Sequence, residues 1–284
     1  MGNGKRVWHR LLSDRRAVVC MAILAIEVLC VLILPLLLDL EPDLTDRTAG
    51  FWAPPSAAHW LGTDDVGRDI LARLVCGGRI SLLVGFGSAD INLVVGVPLG
   101  LLAGYRRGKW EFWIMRLADV FQSSPSIVLI LYLVTLMGAS VLNLVLVIGF
   151  LGWPGIARLV YGNVLAVREK EYILAVRALG ARTGTILLRN VLPNAVAPVW
   201  AALGQRVGRA ILSESSLSFL GVGIRAPQAS WGNLMQSAAS LAVLTGRPWV
   251  WLPPGLLIIL TVVCLQILGN ALRGAMDPRT SDGK

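Results

Sequence analysis

The chain has 284 residues, of which 55% are hydrophobic and 15% charged, with a mean hydropathy of +0.68. Soluble domains carry about one quarter charged residues, so this composition excludes an ordinary soluble domain and points to a membrane protein. The net charge is +9, but Lys and Arg fall in short blocks between apolar runs, as in membrane topology, and not on the single basic face that nucleic acid requires.

In chain order, Lys5, Arg6, Arg10, Arg15 and Arg16 form a basic tail (1–16) before an apolar run over 17–40. A signal-peptide core spans about 7–15 residues and ends at a small-residue cleavage site. This run is longer and lacks the site, so it reads as a retained first transmembrane helix. Crossing a hydrocarbon core of about 30 Å takes about 20 helical residues, and five further segments qualify: 80–104, 113–137, 140–160, 195–220 and 250–272. The expectation is an all-α membrane protein of six transmembrane helices.

Charges between the spans set the orientation. Arg106, Arg107 and Lys109 lie in one loop. Arg158, Arg168, Lys170, Arg177, Arg182 and Arg189 mark the segment around 161–194, and Arg273, Arg279 and Lys284 mark the tail 273–284. Segment 41–79 is acidic by contrast, with Glu41, Asp43, Asp46, Asp64, Asp65 and Asp69 against Arg47, Arg68, Arg73 and Arg79, and 221–249 has only Arg225 and Arg247. The positive-inside rule makes both termini and the 161–194 loop cytoplasmic, and 41–79 extracytoplasmic. Trp52, Trp60, Trp231, Trp249 and Trp251 then fall on the outer side as interfacial anchors. Cys20, Cys30, Cys76 and Cys264 form no CxxC pair and read as inert thiols. His9 and His59 lack metal-ligand spacing and read as surface or interfacial residues.

Gly96, Gly100 and Gly104 share a face of the second span, and Gly204 and Gly208 one of the fifth, which favours close helix packing. Ionisable residues within spans face cavities or other subunits. Glu27 lies in the first span, and Asp90 in the second with Asn92 close by. In the fifth, Gln205, Arg209, Ser213 and Ser216 recur at helical spacing on one face, with Arg206 and Glu214 beside them. That stripe, with Asp90 and Glu214, supplies the candidates to line a substrate path; the alternative is buried polar pairs that set helix register.

Residues 164–180 have helical composition, Gly180 suits a helix C-terminus, and Pro193 and Pro198 flank the return to apolar sequence. A helix of this kind lies on lipid headgroups or is a knob for a cytoplasmic partner. Here the chain resembles a known family. EYILAVRALGARTGTILLRNVLPN at 171–194 is similar to the EAA loop of ABC-importer permeases, and more narrowly of the second, C-type permease of dipeptide, oligopeptide and nickel importers. HWLGTDDVGRDIL at His59–Leu71, RISLLVG at Arg79–Gly85, RLADVFQSSP at Arg116–Pro125, SFLGVG at Ser218–Gly223 and LRGAMDP at Leu272–Pro278 resemble the same family in the same order.

The resemblance implies the type I importer fold, with a core over 80–272 and a coupling helix between the fourth and fifth spans. It implies a heterodimer with a second, homologous permease in the prokaryotic plasma membrane, two cytoplasmic ATPases and an extracytoplasmic substrate-binding protein, with no nucleic acid as partner. ATP and Mg²⁺ would be used by the partner chains, and this chain would bind no cofactor or metal. The ATPase-coupling residues implied are Glu171, Tyr172, Ala175, Arg177, Gly180, Leu192 and Pro193. The cargo implied is short peptides, or alternatively nickel or a metal–chelator complex.

The chain departs from the family at several positions. The EAA triplet falls at Leu174, Ala175 and Val176, so its glutamate is absent, and docking would rest on shape and Arg177. Asn190 and Asn270 replace a histidine and an aspartate. Arg206 and Arg209 admit two readings, a bias toward anionic or carboxylate-bearing cargo and a local pairing with Glu214.

No GxxxxGK(S/T) phosphate loop occurs; Gly104–Trp110 is one residue short and lacks the hydroxyl that holds Mg²⁺. HExxH and GxSxG are absent too, which leaves Asp90 and Asp119 as the one carboxylate pair for an intramembrane hydrolase. A channel would show a repeated filter or charged ring, and neither is seen.

Overall fold

Asp14 closes one helix and opens the next. The computed structural model describes residues 3–276. Helix α1 (Asn3–Ser13) ends at Asp14, whose carboxylate accepts from Arg16 N at 2.9 Å and caps α2 (Arg15–Leu37). Pro35 sits in the last turns of α2, and a proline deprives the carbonyl four residues earlier of its N–H partner. Arg79 supplies the replacement, donating from Nε to Val31 O at 2.9 Å and from Nη2 to Leu32 O at 3.0 Å. This arginine is therefore not a loop charge but part of α3 (Ile70–Arg106).

The segment expected to run to residue 79 ends at Asp69. Its carboxylate accepts from Ala72 N at 2.8 Å, and helix follows at once. Before it, residues 38–69 form a folded loop with two isolated antiparallel bridges, Thr45 to Arg68 and Thr63 to Asp69. Asp64 is its centre, accepting from Arg68 Nε at 2.7 Å and facing Arg73 Nε at 3.4 Å.

The glycines of α3 meet α6 (Val141–Arg168). A Cβ at Gly96 or Gly104 would stand 2.7 Å from the Cβ of Ile156 or Val164, and one at Gly100 would be 2.7 Å from that of Val160. Gly208 plays a looser version of this part, its Cβ position 3.5 Å from Val262 on α12 (Pro248–Met276).

The third expected span, 113–137, is not one helix. Helix α4 (Lys109–Ser123) and α5 (Ser126–Met137) meet at 88°. Ser124 is extended at ψ 145°, as the residue before a proline prefers, and Pro125 follows. Among the described residues, five helices are long and apolar enough to cross a membrane, six if the bent pair counts as one.

After α6 come α7 (Glu171–Ala178), a single turn α8 (Thr183–Thr185), a π-helical stretch over Ile186–Val191, and α9 (Leu192–Phe219). Helices α10 (Trp231–Gln236) and α11 (Leu241–Gly246) lead into α12. Trp231 is fully buried and donates from Nε1 to Leu74 O at 3.0 Å. It is a core residue and not an interfacial anchor, because Gly77 and Gly78 leave room for its turn against α3. The end of the tail expected at 273–284, with Arg279, Lys284 and the Asp277–Pro278 part of the LRGAMDP match, lies outside the described residues.

Candidate functional site

Two regions stand out, one at the α7 end of the bundle and one within it. Arg168 closes α6 by donating from Nη1 to Gly104 O at 3.1 Å, which ties it to the end of α3. The chain turns at Glu169–Lys170 and α7 begins. Ile173 is its buried anchor, packed with Val164, Val167, Ile186 and Val191. The other face is open: Glu171, Tyr172, Ala175 and Arg177 are exposed, as are Leu174 and Leu179, the latter 87%. Arg177 also lies over the Tyr105 ring at 5.9 Å. Gly180 takes φ +76° to turn the chain back, a conformation that suits glycine. Asn194 Nδ2 donates to the Tyr172 hydroxyl at 3.3 Å and to Asn190 O at 2.7 Å, joining α7 to the start of α9. Leu192 packs beneath and Pro193 is exposed beside it.

Within the bundle, a cavity of about 370 Å³ lies between α3, the α4–α5 bend, α6 and α9. Its polar lining is Asn92, Gln122, Ser126, Arg206, Arg209 and Ser213. Of the expected path residues it holds Arg209 and Ser213 alone. Gln205 turns to α12, donating from Nε2 to Asn270 Oδ1 at 3.3 Å. Ser216 is exposed, its hydroxyl turned back to Leu212 O at 2.7 Å. Asp90 is exposed on α3, in an outward stripe with Phe86 and Val94.

Glu214 is completely buried. Its carboxylate accepts from the hydroxyls of Ser218 at 2.7 Å, Ser81 at 3.1 Å and Ser215 at 3.4 Å. The pairing of Arg206 or Arg209 with Glu214 does not form, because these serines occupy the carboxylate and bind α9 to α3. Asp119 likewise pairs with Arg158, and with Arg116 at 3.7 Å, so it forms no dyad with Asp90. Glu27 sits between α2 and α12, where it accepts from the Thr261 hydroxyl.

Sequence reasoning missed Gln122 and Ser126, since 113–137 read as one continuous span; the Ser-Ser-Pro at 123–125 is the signal that marks the bend. It also missed Gly152 and Gly155, which leave gaps in α6 that Asn92 and the Arg206 guanidinium fill.

Residues 96–282 match the family described as the binding-protein-dependent transport system inner membrane component, and 3–55 match the N-terminal transmembrane domain of oligopeptide transport permease C. The chain belongs to the inner-membrane permeases of binding-protein-dependent transport systems. The permease is 39% identical over 272 residues to a putative peptide permease of Brucella suis biovar 1 (strain 1330), covering 95% of this chain and 89% of the relative. It is 37% identical over 275 residues to a dipeptide transport system permease of Bacillus subtilis (strain 168), covering 96% and 84%. A glutathione transport system permease of Pectobacterium atrosepticum is 41% identical over 225 residues, 79% of this chain and 74% of that one. An inward-facing MetNI methionine ABC transporter matches in fold at TM-score 0.60 and 21% identity, over 72% of the permease and 97% of that chain. The permease is thus a transporter subunit and not an enzyme, and its family works with an ATPase and a binding protein.

Proposed function

We propose that this permease is one half of the translocation path of a peptide-class importer, moving short peptides and coupled through α7 to ATPase subunits. The observation that carries the cargo class is near-full-length similarity to permeases named for peptides, dipeptides and the tripeptide glutathione. The nickel alternative gains no support from those names.

The α7 end faces the cytoplasm in this reading, because the basic blocks of α1, the α3–α4 turn, the 161–194 loop and the end of α12 gather there. Both termini then lie inside, and 38–69 lies outside, where a binding protein delivers substrate. Two ATPases dock on α7 and its counterpart in a second, homologous permease; they use ATP and Mg²⁺, which this chain does not bind. The exposed Glu171, Tyr172, Ala175 and Arg177, with Gly180 and Pro193 at the flanking turns, form the contact. Leu174, standing where the family has glutamate, presents an apolar surface 50% exposed, so shape and Arg177 carry the docking. Asp90 supports a partner on α3: a charge in mid-span is costly against lipid, and a second permease would cover it.

The coupling role is tested by Gly180→Pro and Arg177→Glu in the assembled transporter. Both should leave ATP hydrolysis measurable while peptide uptake falls at least tenfold. Normal uptake in both variants refutes the docking assignment.

A further inference from the structure

The cavity at the α4–α5 bend holds two guanidinium groups and no acid. Arg206 and Arg209 are one turn apart on α9 and both line it. Among the described residues neither forms an ion pair. Guanidinium stays protonated in proteins, so this charge cannot be relieved by titration. A charge within a membrane span is costly unless something compensates it, and two like charges at this spacing on a helix repel. Glu214, the one carboxylate of α9, is held by three serine hydroxyls.

Asn92 packs the wall beside the two arginines. Asn92 is 4% exposed; its Nδ2 donates to Ser88 O at 2.9 Å, while its Oδ1 is buried without a partner. It lies on the cavity wall over Gly152, and Arg206 lies over Gly155, where any side chain on α6 would displace either group. The cavity therefore offers positive charge beside the apolar Ile148 and Leu151. Its volume of about 370 Å³ falls within the small-molecule range of about 300–1,000 Å³.

We infer that this cavity is a substrate subsite for a free carboxylate: Arg206 and Arg209 receive the C-terminal carboxylate of a passing short peptide. The inference rests on the peptide-import reading and narrows it, because the same site disfavours cationic cargo and peptides whose C-terminus is blocked.

The test compares uptake of alanyl-alanine and its C-terminal amide by cells carrying the whole transporter. The binding protein is common to all strains, so its own preference cancels when the acid-to-amide ratio is compared between variant and wild type. Arg206→Gln and Arg209→Gln should each lower that ratio about tenfold, as expected for losing one charge-assisted hydrogen bond. Arg206→Lys should keep most of it. If Arg206→Gln does not assemble, the exposed Arg209 carries the comparison. Unchanged ratios in the glutamine variants, with uptake intact, overturn the inference alone and assign the counter-charge to a lipid phosphate or a partner subunit. Uptake of neither form by the wild type overturns the peptide reading, and the inference with it.

Discussion

His59, one of two histidines in the chain, is fastened between two aspartates. Its Nδ1 is 2.7 Å from Asp69 Oδ2 and its Nε2 3.3 Å from Asp46 Oδ2. Asp69 also caps α3 through its other oxygen, so this ring pins the 38–69 loop to the first turn of a membrane helix. The hydrogen bond to Asp69 raises the His59 pKa above its usual 6.5, against a smaller opposing effect of burial. Asp46 is lowered from 3.8 to about 2, chiefly by the Thr48 hydroxyl, then by Thr48 N and His59. A raised histidine stabilises fully below its unfolded pKa and loses that contribution as pH rises through the folded value. A lowered aspartate stabilises fully above its unfolded pKa and loses its contribution as pH falls toward the folded one. The loop should therefore be firmest between pH 3.8 and 6.5. Limited proteolysis of 38–69 in the purified protein should quicken as pH rises above that window, and His59→Gln should flatten the dependence. A variant profile that tracks the wild type would remove His59 from the account. Sequence spacing read His59 as a surface or interfacial residue and could not pair it, because Asp46 and Asp69 approach it only once the loop closes.

At the scale of elements, the glycine spacing of α3 was legible because a repeat of four places small residues on one helical face. The bundle uses that face for its tightest seam. Gly100→Val should cost about 1–3 kcal/mol through overpacking, seen as a lower unfolding temperature of the detergent-purified protein. Gly162→Ala, on α6 with nothing within 4 Å of the added carbon, should leave that temperature equal or higher. Equal losses in the two variants would contradict the seam. The α4–α5 bend was less legible. Both halves are apolar, so hydropathy joins them, and only the local preference of a residue before proline argues for a break. The start of α3 at Ile70 was masked in a related way: the polar residues Arg73 and Arg79 look like loop, yet Arg73 is bound by Asp64 and Arg79 by Leu32 O and the Val31 carbonyl that Pro35 frees.

At the scale of the whole molecule, the two ends differ in how they treat charge. The acidic loop pairs its Arg68, and the adjoining Arg73 of α3, with Asp64. The α7 end leaves Arg177, Arg182 and Arg189 at or near the surface. The orientation inferred from this is checked by labelling intact cells with a membrane-impermeant thiol reagent. Phe51→Cys should react from outside, and Leu179→Cys only after permeabilisation; both sites are well exposed, at 68% and 87%. The reverse pattern would invert the topology and remove α7 from the ATPases.

The sequence by itself determined the membrane class, the number of apolar segments, the basic and acidic ends and the family, because each follows from local composition or from motifs read in order. It did not determine which polar side chains within the membrane meet. Arg206 and Glu214 look like partners on one helix, yet eight residues separate them by about 12 Å along the axis. The serines that satisfy Glu214 come from its own turn of α9 and from Ser81 on α3. Only helix packing could bring Ser81 there, and only that packing left Arg206 and Arg209 facing an open cavity without a carboxylate.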